Sequence, residues 1–138
     1  MVEFKLVIAD PKTGKCVQKD VKDAEARAFA GLKIKDAVKG ETIGFPGYEF
    51  TLTGGSDKSG FPMRSGIMGA RKKIKTYPGL GYRKTKEEGM QKRKTVCGGR
   101  VTPNIAQISL KITKEGSASL FPKEEMKVEE KAAEVKAE

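Results

Sequence analysis

The sequence predicts a mainly β fold, a small β-barrel or rolled antiparallel sheet with one short helix, long basic loops and an exposed C-terminal tail. Three observations carry this expectation. Short stretches alternate apolar and polar side chains at the two-residue period of half-buried strands, a single stretch carries helix signals, and sixteen glycines supply turns and loops. A length of 138 residues suits one compact domain, placed at residues 1–122, with a charged tail over 123–138.

Val2, Phe4, Leu6 and Ile8 alternate with Glu3 and Lys5, which predicts the first strand. Asp10-Pro11-Lys12-Thr13-Gly14 reads as a turn, and Cys16-Val17-Gln18-Lys19-Asp20-Val21 returns the chain as a hairpin. Asp23 is placed to cap a helix over residues 24–30, because its short carboxylate can accept from free N–H groups of the first turn; Gly31 can end it in the left-handed conformation. The stretch from Ile34 through Gly40 fits a helical turn or a strand equally. Tyr48, Phe50 and Leu52 alternate up to Gly54-Gly55, and Ala106, Ile108, Leu110 and Ile112 alternate again; both are expected core strands. Residues 61–99 show little sustained periodicity and predict loops, with one basic hairpin around Ile74 and Tyr77, ordered either by a partner or not at all. In the tail, Lys123, Lys127 and Lys131 form one like-charged row and Glu130, Glu134 and Glu138 another, so four-apart pairs repel and a frayed tail is expected.

The charge is segregated. Residues 58–100 hold thirteen basic side chains against Glu87 and Glu88, a net +11, whereas the whole chain carries +10. A block this one-sided repels itself unless counter-charged, and a phosphate backbone is the natural counter-charge. A solvated basic loop, or an import-like patch at Arg71-Lys72-Lys73-Ile74-Lys75, is the plainer reading. A membrane surface fits less well, because glycines and prolines interrupt the block and leave no apolar helical stripe. No apolar run approaches the roughly 20 residues that span a bilayer. With no secretory signal and two distant cysteines in no metal-like spacing, a soluble, cytoplasmic chain is expected.

Enzyme readings are weak. The chain has no histidine, and so lacks the commonest general base and metal ligand. Gly55 and Gly60 stand at phosphate-loop spacing, but Phe61-Pro62 follow where a nucleotidase needs Lys and then Ser or Thr. What is left is a glycine-flanked loop whose N–H groups and Lys58 could cradle a phosphate, or a tight connection between strands. Ser56 or Ser59 beside Lys58 lacks the desolvation a lysine base requires. Cys97 fits a small semi-buried side chain and is given no role. In Pro78-Gly79-Leu80-Gly81-Tyr82-Arg83-Lys84, Tyr82 could stack on an unpaired base while the cations hold phosphates, or pack on its own domain.

The ten residues Gly54-Gly55-Ser56-Asp57-Lys58-Ser59-Gly60-Phe61-Pro62-Met63 resemble the signature of the ribosomal protein family called S-six-e, in its short archaeal form. Gly69 with Arg71-Lys72, then Pro78-Gly79 and Gly81-Tyr82-Arg83, is similar to the family's basic middle. Arg93-Lys94-Thr95-Val96 leading to Ile105-Ala106-Gln107-Ile108 is similar to its closing strand. Cys97 and Met68 depart from it, standing where another basic residue and a histidine are expected. The resemblance implies a structural, non-catalytic constituent of the small ribosomal subunit with no cofactor and no metal. Its partners would be ribosomal RNA and neighbouring ribosomal proteins, with no membrane and no small-molecule substrate. The long serine-bearing extension of eukaryotic relatives is replaced by the Lys/Glu/Ala tail, so kinase-linked regulation is not implied.

The expected RNA-binding residues are Lys58, Arg64, Arg71, Lys72, Lys73, Lys75, Tyr82, Arg83, Lys84, Lys86, Lys92, Arg93, Lys94 and Arg100. A free RNA chaperone or translational regulator, using the same patch transiently, is the alternative.

Overall fold

A computed structural model describes residues 3–83, 88–116 and 120. The hairpin forms as expected: β1 (Glu3–Ala9) pairs antiparallel with β2 (Cys16–Lys22) from Glu3↔Lys22 to Ala9↔Cys16. Its turn is held by Asp10, whose carboxylate accepts from the Lys12 N–H at 2.9 Å and the Thr13 hydroxyl at 2.7 Å. On β1 the alternation is realised, with Phe4, Leu6 and Ile8 buried and Glu3 and Lys5 exposed.

The helix is shorter than expected. Helix α1 spans Asp23–Arg27, and no side chain caps it; Asp23 is its first residue, at φ +43°. Beyond Arg27 the backbone tightens, with the N–H groups of Ala28, Phe29 and Ala30 each bonded three residues back. This drives Phe29 into the core before Gly31, at φ +85°, ends the run and donates to the Val101 carbonyl.

The ambiguous stretch splits, with a turn at Ile34 and Lys35 and a strand over its last part. β3 (Ala37–Lys39) is followed by a 3-10 turn over Gly40–Ile43 and pairs antiparallel with β4 (Glu49–Asp57). Two further strands, β5 (Arg71–Thr76) and β6 (Lys92–Cys97), lie in the segment expected to be loop, where they form the basic hairpin; β7 (Ile105–Lys114) closes the described order. A register shift between Ser56 and Asp57 leaves Ala106 half-buried and turns Ile105 inward with Ile108, Leu110 and Ile112.

The main sheet has the order β2-β1-β7-β4-β3. It does not close into a barrel and it is mixed, since β1 and β7 run parallel while the other neighbours are antiparallel. The curl of a rolled sheet is present: the Lys19 ammonium on edge strand β2 donates to the Ile43 carbonyl, just beyond the opposite edge strand β3, and lies 5.0 Å over the Phe45 ring. One hydrophobic cluster fills the body, with Phe50 stacked on Tyr48 at 5.9 Å between ring centres. The expected tail, residues 123–138, lies outside the described residues.

Candidate nucleic-acid interface

The cationic ribbon β5–β6 is a separate two-stranded sheet, yet it is stitched to the body through the segment after β4. Met63 N–H donates to the Gly55 carbonyl at 2.9 Å on one side. On the other, Cys97 N–H donates to Pro62 at 2.9 Å and Arg64 N–H to Cys97 at 3.1 Å. Residues 62–64 therefore act as a short strand between the free half of β4 and the base of β6. Gly55 permits the approach, because a Cβ there would run into the Gln107 carbonyl and stand 3.0 Å from the Met63 sulfur.

A buried ion pair reinforces the seam. Asp57 is 3% exposed, and its carboxylate takes the Arg71 guanidinium, the Lys58 N–H at 2.6 Å and the Cys97 thiol at 3.5 Å. Burial alone would raise the Asp57 pKa, but the bonds from Arg71, Lys58 and Cys97 and the Arg71 charge outweigh it and hold the carboxyl below its ordinary range. Burial pushes the Cys97 thiol up, and the adjacent Asp57 charge adds to this. The Arg71 NH2 group also donates to the Ser59 hydroxyl at 2.9 Å, and the guanidinium lies 5.2 Å over the Phe61 ring.

Residues of the signature loop thus serve as a tight connection. Asp57 N–H goes to Phe61, Gly60 N–H to Asp57, and Lys58 N–H to Asp57 and Asn104. Of the N–H groups expected to cradle a phosphate, those of Asp57, Lys58 and Gly60 are therefore already taken, while the Lys58 side chain is exposed.

Alternation along the ribbon distributes the remaining cations on two faces. Lys75 stands directly opposite Arg93, and Lys73 opposite Thr95, on one face; Lys72 opposite Val96, Lys94 opposite Ile74 and Lys92 opposite Thr76 occupy the other. None of these six has a carboxylate partner among the described residues. Arg64 is half-buried, its guanidinium donating to Thr76 at the end of β5 at 2.8 Å, and Arg83 is exposed beside Lys94.

Other expected contacts lie elsewhere. Lys58 borders a cavity with Glu3, Lys5, Asp20 and Lys22, and Arg100 forms an antiparallel backbone bridge with Lys33, both lining a second cavity of about 420 Å³. Lys84 and Lys86 lie outside the described residues. Of the two readings of Tyr82, packing on its own domain is the one the free protein adopts: it is 5% exposed, with the ammonium groups of Lys94 and Lys92 lying 5.6 and 6.0 Å over its ring.

Sequence reasoning missed Asp57, whose signal was its place as the single acid in the signature stretch, at the head of the basic block. It also missed the exposed apolar side chains Met68, Tyr77 and Leu80. Among the described residues no group of acids and cysteines could hold a metal ion, and no helix is long and apolar enough to cross a membrane.

The model of the family described as Ribosomal protein S6e matches residues 4–122, in agreement with the signature at Gly54 to Met63. Among similar relatives, the Small ribosomal subunit protein eS6 of Methanocella arvoryzae is 41% identical over 131 residues, covering 92% of each chain. That of Archaeoglobus fulgidus is 41% identical over 121 residues, covering 86% of this chain and 93% of the relative. The protein of the same name from Methanocaldococcus jannaschii is 41% identical over 123 residues, covering 87% and 89%.

Proposed function

The chain belongs to the Ribosomal protein S6e family, which is not an enzyme family, and on that premise we propose that its basic ribbon binds and bridges ribosomal RNA within the small subunit. The observation that carries this is the six ribbon cations without a carboxylate partner among the described residues, held on two faces of one hairpin. Like charges directly across a strand pair, as at Lys75 and Arg93, destabilise the free protein. Backbone phosphates remove that repulsion and release condensed counterions.

Cations on both sides of the ribbon suit two backbone segments, which is what bridging requires; Lys73, Lys75 and Arg93 stand on one side, whereas Lys92 and Lys94 on the other lie over Tyr82 and turn outward to meet a phosphate. The seam at residues 62–64 and the Asp57–Arg71 pair hold the ribbon before RNA arrives, so less ordering entropy is lost on binding. Lysine and arginine on phosphates read shape more than sequence. On this reading the partners are small-subunit ribosomal RNA and neighbouring ribosomal proteins, the location is the cytoplasmic ribosome, and no cofactor or small-molecule substrate takes part.

The test is a salt titration of the full chain binding a small-subunit ribosomal RNA fragment. Contacts by most of the six cations give a slope of log affinity against log salt of about −3 to −5, from roughly 0.9 counterion per phosphate. A flat response contradicts the proposal.

A further inference from the structure

Beside the ribbon lies a cleft of about 780 Å³, lined by Phe61 and Pro62 of the seam and by the turn carrying Gly79, Gly81, Tyr82 and Arg83. Lys94 and Thr95 of β6 also line it. The turn is tight: Gly79 and Tyr82 exchange backbone hydrogen bonds at 2.8 and 3.0 Å, and Gly81 takes φ +80°. That geometry presses Gly81 against Pro62, where a Cβ would stand 2.9 Å from the proline ring. The wall is therefore built, and its position is fixed by backbone.

Tyr82 has one unsatisfied need. Its hydroxyl is buried and has no hydrogen-bond partner among the described residues. A buried donor left without an acceptor is costly, and such groups in native folds usually have a partner or a ligand. What covers the ring is the pair of long lysine side chains already noted, Lys92 and Lys94, whose ammonium groups are the ones an arriving phosphate would draw outward.

We propose that this cleft receives one unpaired nucleotide of the RNA: its phosphate takes Lys94 and Arg83, and an acceptor on its base edge or ribose takes the Tyr82 O–H. The proposal rests on the RNA-binding reading of the ribbon, and it gives Tyr82 a hydrogen-bonding role in place of stacking. The volume suits a nucleotide, within the roughly 300–1,000 Å³ usual for small-molecule pockets. Paired RNA presents its bases turned inward, so only an unpaired position can enter.

Tyr82→Phe removes the hydroxyl and keeps the ring. With the full chain and a small-subunit ribosomal RNA fragment that the wild type binds, the variant should bind about 3- to 10-fold more weakly, with an unchanged salt slope, since one neutral hydrogen bond and no phosphate contact is lost. Its melting temperature should be equal to or above that of wild type. On a fully paired duplex of the same length the two proteins should bind alike. Equal affinity on the fragment, a lowered melting temperature, or a penalty that persists on the duplex overturns the inference while leaving the ribbon reading intact. Failure of the wild type to bind any fragment at low salt overturns both.

Discussion

Asp57 is a carboxylate at the head of a basic block, and the fold uses it as a clamp. It takes one cation, Arg71, out of the pool available to RNA and ties the ribbon's first residue to the body. Because the folded-state pKa is below that of the unfolded chain, this contribution is complete above the ordinary carboxylate range and is lost as pH falls through the depressed value. Asp57→Asn should cost about 1–3 kcal/mol near neutral pH, toward the lower end because the Arg71 side chain is 43% exposed and can be solvated when its partner goes. Denaturant titrations should show the gap between variant and wild type narrowing in acid. A gap that stays constant down to strongly acid pH contradicts the clamp. This residue was hard to read from sequence because its role depends on a partner fourteen positions away. Tyr82 was visible as a site residue, but its burial under Lys92 and Lys94 depends on the turn that folds it back onto β6.

Strands with an apolar face announced themselves, whereas the ribbon was legible only as a basic hairpin around Ile74 and Tyr77, without the bounds of its strands. Phe4, Leu6 and Ile8, or Ile108, Leu110 and Ile112, alternate because one side of the strand meets the core. In β5 and β6 seven of twelve residues are cationic, and the inward contribution shrinks to Ile74, Thr76, Val96 and Cys97, too sparse to show a period. The parallel pairing of β1 with β7 and the unclosed sheet were also hidden, since they depend on long-range connections that local pattern does not encode. At the seam, Gly55→Ala should destabilise the protein by about 1–3 kcal/mol in chemical denaturation, the usual range for overpacking, because the Gln107 carbonyl is backbone and has no rotamer to move. Within the ribbon, Lys75→Glu creates an opposite-charge pair with Arg93 and should stabilise the free protein by up to about 1 kcal/mol. The same change should weaken RNA binding and lower the magnitude of the salt slope by about 1 or more. Stronger RNA binding by this variant contradicts the assigned role of Lys75.

At the scale of the whole molecule, charge and shape are divided between two parts. The curled sheet is a nearly neutral body with a hydrophobic cluster, and the ribbon stitched to its side concentrates six cations that have no carboxylate partner among the described residues. A scaffold built this way should stay with the small subunit through a moderate-salt wash, which sedimentation reads directly; a transient factor would appear in the free pool. The central claim is that the ribbon, and not net charge alone, makes the RNA contact. It is tested most directly by replacing Lys73, Lys75 and Arg93 together with alanine, alongside a control replacing the exposed body lysines Lys5, Lys22 and Lys111, and measuring the salt slope of ribosomal RNA binding for both. The ribbon variant is expected to lose about 2.7 from the magnitude of the slope, three contacts at roughly 0.9 each, while the control stays close to wild type. Equal losses in the two variants would contradict the account.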